Sequence, residues 1–208
     1  MRFLIVSLAA LALSCAVTAA PRQAHPDAAE IDTAHSTITI RVFKTGLFSA
    51  LGHNHEISAP IDSGKVQDAS QGNVQPSENP SVELRVDARK LRVLDPDTSD
   101  DTRAQVQKTM LGPDVLDSDR LPEIHFQSTA VEASGANHWT VRGRLDLHGQ
   151  SHPVTVDVTL QGGTYRGSAA FKQTDFGIKP VSVAGGTVKI KDEVKIDFEI
   201  SLVTRFRL

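Results

Sequence analysis

The sequence predicts an all-β protein, a single antiparallel β-barrel of about eight strands with one short helical insertion at about residues 99–118. The first observation is a series of segments in which apolar and polar residues alternate, as in strands with one buried face. The second is their spacing, because short strands separated by Gly, Pro, Asn and Asp turns are typical of sandwiches and barrels. We favour a barrel because closure removes exposed edges and no second helical layer is predicted to cover the sheet.

The most regular segment is a predicted hairpin at residues 139–160, in which two alternating runs flank a Gly-Gln pair. This pattern is typical of a two-residue turn, so we place Gly149 and Gln150 at the turn. One face of the hairpin is then apolar and the other polar, and a shift of one residue would set apolar against polar side chains. In this register His148 and His152 fall on opposite faces, with His152 at the inner edge.

The other predicted strands follow the same alternating plan. The segment at residues 81–94 changes phase around residues 88–91, which predicts a bulge or bend. The last run is the longest and separates apolar from charged side chains throughout. Together with the hairpin, the strand segments are residues 37–43, 53–61, 64–69, 81–94, 122–130, 165–173, 187–191 and 194–202.

One helix interrupts the strands. Ser99 is the predicted N-cap, and the acidic residues that follow it favour the positive end of a helix. Val106 and Met110 lie four residues apart and form a single apolar stripe, while Gly112 and Pro113 end the helix.

Residues 1–19 have the pattern of a secretory signal peptide: Arg2 near the start, an apolar middle and small residues before a predicted cleavage after Ala19. We therefore expect a periplasmic or secreted protein, with residues 20–30 as a disordered lead and residues 31–208 as one barrel domain.

A lipoprotein attached through Cys15 is the weaker alternative, because Ala12 stands where a lipidation motif normally has Leu. Cys15 is the only cysteine, so its removal with the signal peptide would leave no disulfide or thiol chemistry. The net charge of −3 and the lack of a basic run argue against nucleic-acid binding. The apolar stretch is too short for stable membrane insertion, and no later segment resembles a membrane helix.

Several short motifs, in their order and spacing, resemble the YceI-like family of bacterial secreted proteins. They are Asp32-Thr-Ala-His35-Ser36, Leu121-Pro122-Glu-Ile124-His-Phe126, Gly143-Arg-Leu145-Asp-Leu147-His148-Gly149, Asp175-Phe176-Gly177-Ile178 and Asp192-Glu193-Val194-Lys-Ile196. The resemblance runs from about residue 31 to residue 200. It implies a lipocalin-like, extended antiparallel barrel with a helix between middle strands, and a carrier that holds a long-chain isoprenoid or other amphiphilic lipid inside.

The sequence departs from the family pattern in two places. Lys172-Gln173-Thr174 stands where we would expect an arginine near Gln173. The stretch Gly52-His53-Asn-His55 forms a histidine-rich hairpin that only part of the family shares. Both departures leave the recognition of the ligand's polar end open.

The inward face of the predicted strands is the candidate ligand-binding surface. Aromatic residues make up only 5% of the chain, so this face is largely aliphatic and suits a flexible alkyl or prenyl chain. The same positions would serve equally as a filled core. The predicted lining is Ile38, Ile40, Val42, Val82, Leu84, Val86, Ile124, Phe126, Val141, Leu145, Val154, Val156, Val158, Val194, Ile196, Phe198 and Ile200.

We expect a polar rim for the ligand's head group, with Arg41, His53, His55 and His152 as candidates to meet an anionic head. His53 and His55 also lie two apart on a predicted strand and therefore share a face, as two imidazole ligands of a metal would. A third metal ligand is not evident. We therefore predict no metal site and no cofactor, and keep His-based metal binding as an alternative.

Catalytic motifs are absent from the sequence, which has no Gly-x-Ser-x-Gly, His-Glu-x-x-His or glycine-rich phosphate loop. Carboxylates such as Asp146 and Asp157 are expected on the wet face with ordinary acidity. We predict a non-enzymatic carrier of a long-chain isoprenoid or fatty amphiphile. The alternatives are a His-based metal-binding or redox-accessory protein and a filled-core barrel that binds a partner, and a homodimer is left open.

Overall fold

The computed structural model describes residues 28–45, 54–67, 80–183 and 188–203. These residues form twelve β-strands and one α-helix, and eleven of the strands lie on one antiparallel path. The strands are β1 (Ala29–Glu30), β2 (Thr37–Thr45), β3 (His55–Ser58), β4 (Ile61–Gln67), β5 (Ser81–Asp87), β6 (Arg92–Val93), β7 (Glu123–Gly135), β8 (His138–Leu147), β9 (Gln150–Gln161), β10 (Thr164–Lys172), β11 (Ser182–Val183) and β12 (Val188–Ile200), and the helix is α1 (Asp100–Leu111).

The sheet closes on itself through the residues that follow β1 and β12. Its strand order is β1-β4-β5-β7-β8-β9-β10-β12-β2-β3-β6, and β11 pairs only with β12. Ile31 forms a bridge with Leu202, and the Asp32 backbone N–H donates to the Ser201 carbonyl at 2.8 Å. Because β1 also pairs with β4, these bonds join the two sides of the sheet into a barrel.

The all-β class, the antiparallel pairing and the single helical insertion are confirmed, but the described strands number twelve rather than about eight. The additional strands are the two-residue strands β1, β6 and β11, whereas the predicted runs at residues 187–191 and 194–202 form the single strand β12, with a register shift between Ile190 and Val194. The boundary between β3 and β4 falls at Ala59 and Pro60, where proline cannot donate to a ladder, rather than at residues 62 and 63 as predicted. The bend predicted around residues 88–91 is a 3₁₀ turn at Ala88–Lys90, and the short strand β6 follows it.

The predicted hairpin is formed by β8 and β9, with its turn one residue earlier than predicted. Leu147 pairs with Gln150, and His148 and Gly149 occupy the turn with φ of 52° and 70°. Positive φ at both central positions is the type I′ geometry that matches the twist of a hairpin. The register differs from the predicted one by two residues, so the strand residues stay on their predicted faces. His148 is the exception, because it lies in the turn and bonds to the Phe176 carbonyl instead of facing outward.

The helix α1 covers one end of the barrel. The Ser99 hydroxyl accepts a hydrogen bond from the Thr102 backbone N–H, as the predicted N-cap should, and Met110 is buried. The Gln107 side chain bonds to the backbone of β6 at Val93 N and to the Leu91 carbonyl, both at 2.8 Å. These bonds fix the helix to the strand edge that would otherwise be unpaired.

Two inward-facing phenylalanine rings lie directly over glycines of neighbouring strands. A Cβ atom built at Gly143 would overlap the ring of Phe126, and one built at Gly167 would overlap the ring of Phe198. The absence of a side chain at each glycine therefore provides the room that the neighbouring ring occupies against the barrel wall.

We predict that Gly143→Ala destabilises the protein by about 1–3 kcal/mol, because the added methyl group must displace the Phe126 ring and the neighbouring strand. Gly135→Ala is the matched control, since its Cβ would lie 3.6 Å from the nearest atom, an ordinary contact. Urea unfolding of both variants measures the difference. Equal stability of the two variants would contradict the account of the ring seated on Gly143.

A second prediction concerns the point where β5 leaves the barrel. Hydrogen bonds from the Arg89 guanidinium lower the pKa of Asp87 from 3.8 to about 2. Since the folded-state pKa is depressed, this pair stabilises the fold above pH 3.8, and the contribution is lost as the pH falls to about 2.

Arg89→Gln should therefore lower the free energy of unfolding at pH 6 by up to about 1 kcal/mol, the size expected of an ion pair at the protein surface. This difference from the unmodified protein should vanish towards pH 2. Arg92→Gln is the control, because within the described ranges the Arg92 side chain donates to the backbone carbonyls of Arg89 and Leu91 and forms no ion pair. The measurement is urea unfolding of the three proteins between pH 2 and pH 6. If Arg89→Gln lowered the free energy of unfolding equally at every pH, the assigned role of the Asp87–Arg89 pair would be contradicted.

Candidate ligand-binding cavity

The barrel encloses a cavity of about 430 Å³, which we call the barrel cavity. Within the described part of the chain its wall contains no charged side chain. Only Gln67, Ser81, Trp139 and Tyr165 bring polar side-chain atoms to it. The remaining wall is aliphatic or phenylalanine, so a ligand here would exchange water for apolar contact over nearly its whole surface.

One end of the barrel cavity is filled by side chains. Phe176 is completely buried there, with the Phe171 ring 5.1 Å and the His152 ring 5.2 Å from its centre, both edge-on. Leu147 and Met110 belong to the same buried cluster, so the hairpin turn and α1 contribute to this filling. We call this region the filled end.

The opposite end of the barrel cavity is bounded by half-buried side chains. Gln67 and Ser81 pair across β4 and β5, and the Ser81 hydroxyl donates to the Gln67 carbonyl oxygen at 3.3 Å. Across the barrel, the rings of Trp139 and Tyr165 pack with their centres 6.1 Å apart and their planes tilted by 53°. We call these four side chains the mouth.

Fifteen of the seventeen residues predicted to line the interior do line the barrel cavity. Val42 and Val194 do not, because they pair with each other beyond it. Ligand contact by any of these residues stays a prediction. The fifteen are Ile38, Ile40, Val82, Leu84, Val86, Ile124, Phe126, Val141, Leu145, Val154, Val156, Val158, Ile196, Phe198 and Ile200.

The sequence prediction missed all four residues of the mouth. Trp139 shares the inward face of β8 with Val141, so the alternation itself could have included it. Tyr165 likewise shares a face with Ala169 on β10. Gln67 and Ser81 lie at strand ends, where their polar character gave no sign of an inward position.

The residues predicted as a polar rim do not meet at the mouth. Arg41 lies on the outer face and forms an ion pair with Asp197. His152 packs against Phe176 at the filled end, and His55 pairs with Val42 on the neighbouring strand, also away from the mouth. His53 lies outside the described residues.

His55 belongs to a separate polar pocket of about 390 Å³ that also includes Arg41 and Lys44. Its Nδ1 lies 2.7 Å from Oδ2 of Asp95, whose side chain is 1% exposed and whose Oδ1 accepts from the Glu56 backbone N–H. No group of three or more His, Cys, Asp or Glu side chains in the described ranges is placed to hold a metal. Metal binding through His53 and His55 stays an untested alternative.

The outer face carries a row of hydrogen-bonded charges. Nε2 of His125 lies 3.2 Å from Glu83 Oε1, and its Nδ1 lies 3.4 Å from Asp146 Oδ2. A hydrogen bond from Ser151, followed by one from His125, lowers the pKa of Asp146 despite the opposing effect of burial. The expectation of ordinary acidity for Asp146 is therefore wrong.

In the part of the chain that the structure describes, no helix combines the length and the hydrophobicity that a membrane crossing requires.

Among curated proteins, the chain is 36% identical over 86 residues to a UPF0312 protein of Pseudomonas savastanoi pv. phaseolicola. That match covers 36% of this chain and 45% of the relative, so it spans less than half the relative's length. It is also 29% identical over 175 residues to a UPF0312 protein of Shewanella denitrificans, with coverage of 77% and 82%.

Two solved structures share the fold. BcnA of Burkholderia cenocepacia matches with a TM-score of 0.61 and 21% identity, over 84% of this chain and 99% of that one. A Campylobacter jejuni YCEI protein matches with a TM-score of 0.50 and 12% identity, over 78% and 85%. At these identities the structural likeness supports the fold alone.

The sequence profile of the YceI-like domain matches residues 30–202, which include all the described strands except the first residue of β1. The resemblance inferred from the short motifs is thereby confirmed. With this match over most of its length, the chain belongs to the YceI-like family.

Proposed function

We propose that the protein is a periplasmic or secreted carrier that sequesters a long-chain isoprenoid or other amphiphilic lipid in the barrel cavity. The observation that carries this proposal is the cavity of about 430 Å³, whose wall has no charged side chain in the described residues. Its volume falls within the range of about 300–1,000 Å³ that is usual for small-molecule sites. The family and its barrel fold are consistent with a hydrophobic ligand.

The aliphatic wall favours a flexible chain as the buried part of the ligand. Val141, Val156 and Val158 follow one another along the paired strands β8 and β9 and contribute to a continuous apolar surface. Each methylene group that moves from water to this surface contributes about 0.8 kcal/mol. Since no wall group fixes the position of a single atom, chains of different branching are accommodated.

The proposed location is supported by the sequence of residues 1–19, which resembles a cleaved signal peptide and lies outside the described residues. A carrier in that compartment would keep a water-insoluble amphiphile in solution between membranes. The absence of catalysis stays a prediction. The barrel cavity argues against the filled-core alternative, in which the same side chains would leave no central space.

We predict that Val156→Trp reduces the affinity for a prenyl alcohol by at least about tenfold. Val156 faces the cavity between Val141 and Ala169, so an indole ring here would occupy the space of the ligand's chain. The measurement is retention of geranylgeraniol by the protein during gel filtration without detergent, quantified by mass spectrometry of the protein peak.

Thr155→Trp is the matched control, because Thr155 is an exposed neighbour on the same strand that pairs with Arg142 on the outer face. It adds the same side chain outside the barrel and should leave retention unchanged. Circular dichroism verifies that both variants fold. If Val156→Trp retained as much geranylgeraniol as the unmodified protein, the assignment of the cavity as the binding site would be contradicted. If the unmodified protein retained none, the proposed function would be contradicted.

A further inference from the structure

We propose that the barrel cavity selects amphiphiles whose head group is neutral and hydrogen-bonding, held by Gln67 and Ser81, over amphiphiles with an anionic head group. This inference rests on the proposed carrier function and adds the chemical class of the head group. It replaces the expectation that Arg41, His53, His55 and His152 meet an anionic head.

The first step is the orientation of the ligand. The filled end presents buried apolar side chains around Phe176, which has no exposed surface. A polar head group placed there would lose its water without gaining equivalent hydrogen bonds, which is unfavourable. The apolar chain therefore points to the filled end and the head group lies at the mouth.

The second step is the chemistry of the mouth. The Ser81 hydroxyl and the Gln67 carboxamide are joined by one hydrogen bond of 3.3 Å. Among the described residues the Gln67 amide nitrogen has no further partner, so it has N–H groups to donate, and the Ser81 oxygen has lone pairs to accept. A hydroxyl or carbonyl group on the ligand satisfies both functions.

The third step is the position of the cations that adjoin the cavity wall beside the mouth. Lys65 precedes the lining residue Val66 and is exposed on the outer face of β4, where it pairs in register with Glu83. Arg142 and Arg166 directly follow the lining residues Val141 and Tyr165, and the alternation of the strands turns both to the outer face. Both are already paired there with carboxylates: Arg142 with Glu132 and Arg166 with Glu199. No described cation lines the cavity to offset a negative head group.

Selectivity follows from these three steps. A neutral head group exchanges its water for the hydrogen bonds of Gln67 and Ser81. A phosphate or carboxylate would lose part of its hydration at the mouth without a positive partner, which disfavours its charged form. The mouth therefore disfavours anionic amphiphiles because the negative charge of their head group would have no positive partner there, and not because the head group has the wrong shape.

The test uses Trp139, which is the only tryptophan of the chain and lies at the mouth. Its fluorescence is followed during titration of the whole protein with geranylgeraniol and with geranylgeranyl diphosphate, which share the same chain. We expect the alcohol to bind at least about tenfold more tightly than the diphosphate.

The decisive variant is Gln67→Lys, which places a cation at the mouth and should shift the preference towards the diphosphate by about tenfold. Gln161→Lys makes the same change at an exposed position at the end of β9, outside the cavity, and should leave the preference unchanged.

Equal binding of the two compounds, or equal shifts in the two variants, would overturn the head-group inference and leave the carrier function standing. Binding of neither compound would overturn the carrier function and this inference with it.

Discussion

Closure of the sheet is the constraint on which the rest of the structure depends. The backbone bonds between residues 30–32 and 201–203 join β1, and through it β4, to the residues that follow β12. Without them every strand would have a dry face with nothing to cover it, because the single helix spans only one end. With these bonds, the apolar faces of the strands all point into one interior. Gly143 and Gly167 make room for the Phe126 and Phe198 rings beside the wall of that interior.

The two ends of this interior differ because the chain's connections differ. The filled end receives α1, the hairpin turn at His148 and Gly149, and the segment around Phe176, which is fixed by a hydrogen bond of 3.0 Å from His148 Nδ1 to the Phe176 carbonyl. Short turns such as Gly162–Gly163 connect strands at the opposite end. Under the proposed function, an amphiphile would therefore enter with its apolar chain first and keep its polar group beside the mouth.

The alternation of apolar and polar side chains predicted the fold class and most of the cavity wall. Which side of the sheet a residue faces depends on its position within its own strand, so the prediction can be right even where the pairing of strands is predicted wrongly. The hairpin is an example. Its turn is formed by His148 and Gly149 rather than by Gly149 and Gln150, yet Val141, Leu145 and Val156 still face inward. A shift of two residues preserves every face, whereas only a shift of one would reverse them.

The polar features were harder to predict because they depend on which strand ends come together. Gln67 and Ser81 meet through the pairing of β4 with β5. His55 contacts Asp95, which lies forty residues further along the chain. The pKa of Asp146 is lowered by hydrogen bonds from Ser151, across the turn, and from His125, on the neighbouring strand. These contacts depend on how different strands pair with one another, and the alternation within a single strand carries no information about that pairing.

Native mass spectrometry of the protein, purified without detergent and then incubated with geranylgeraniol, tests the central claim most directly. The account predicts a second species heavier by one ligand molecule, which organic solvent returns to the mass of the protein alone. A single species at the bare protein mass, both as purified and after incubation, would contradict the proposal that the barrel cavity holds an amphiphilic lipid.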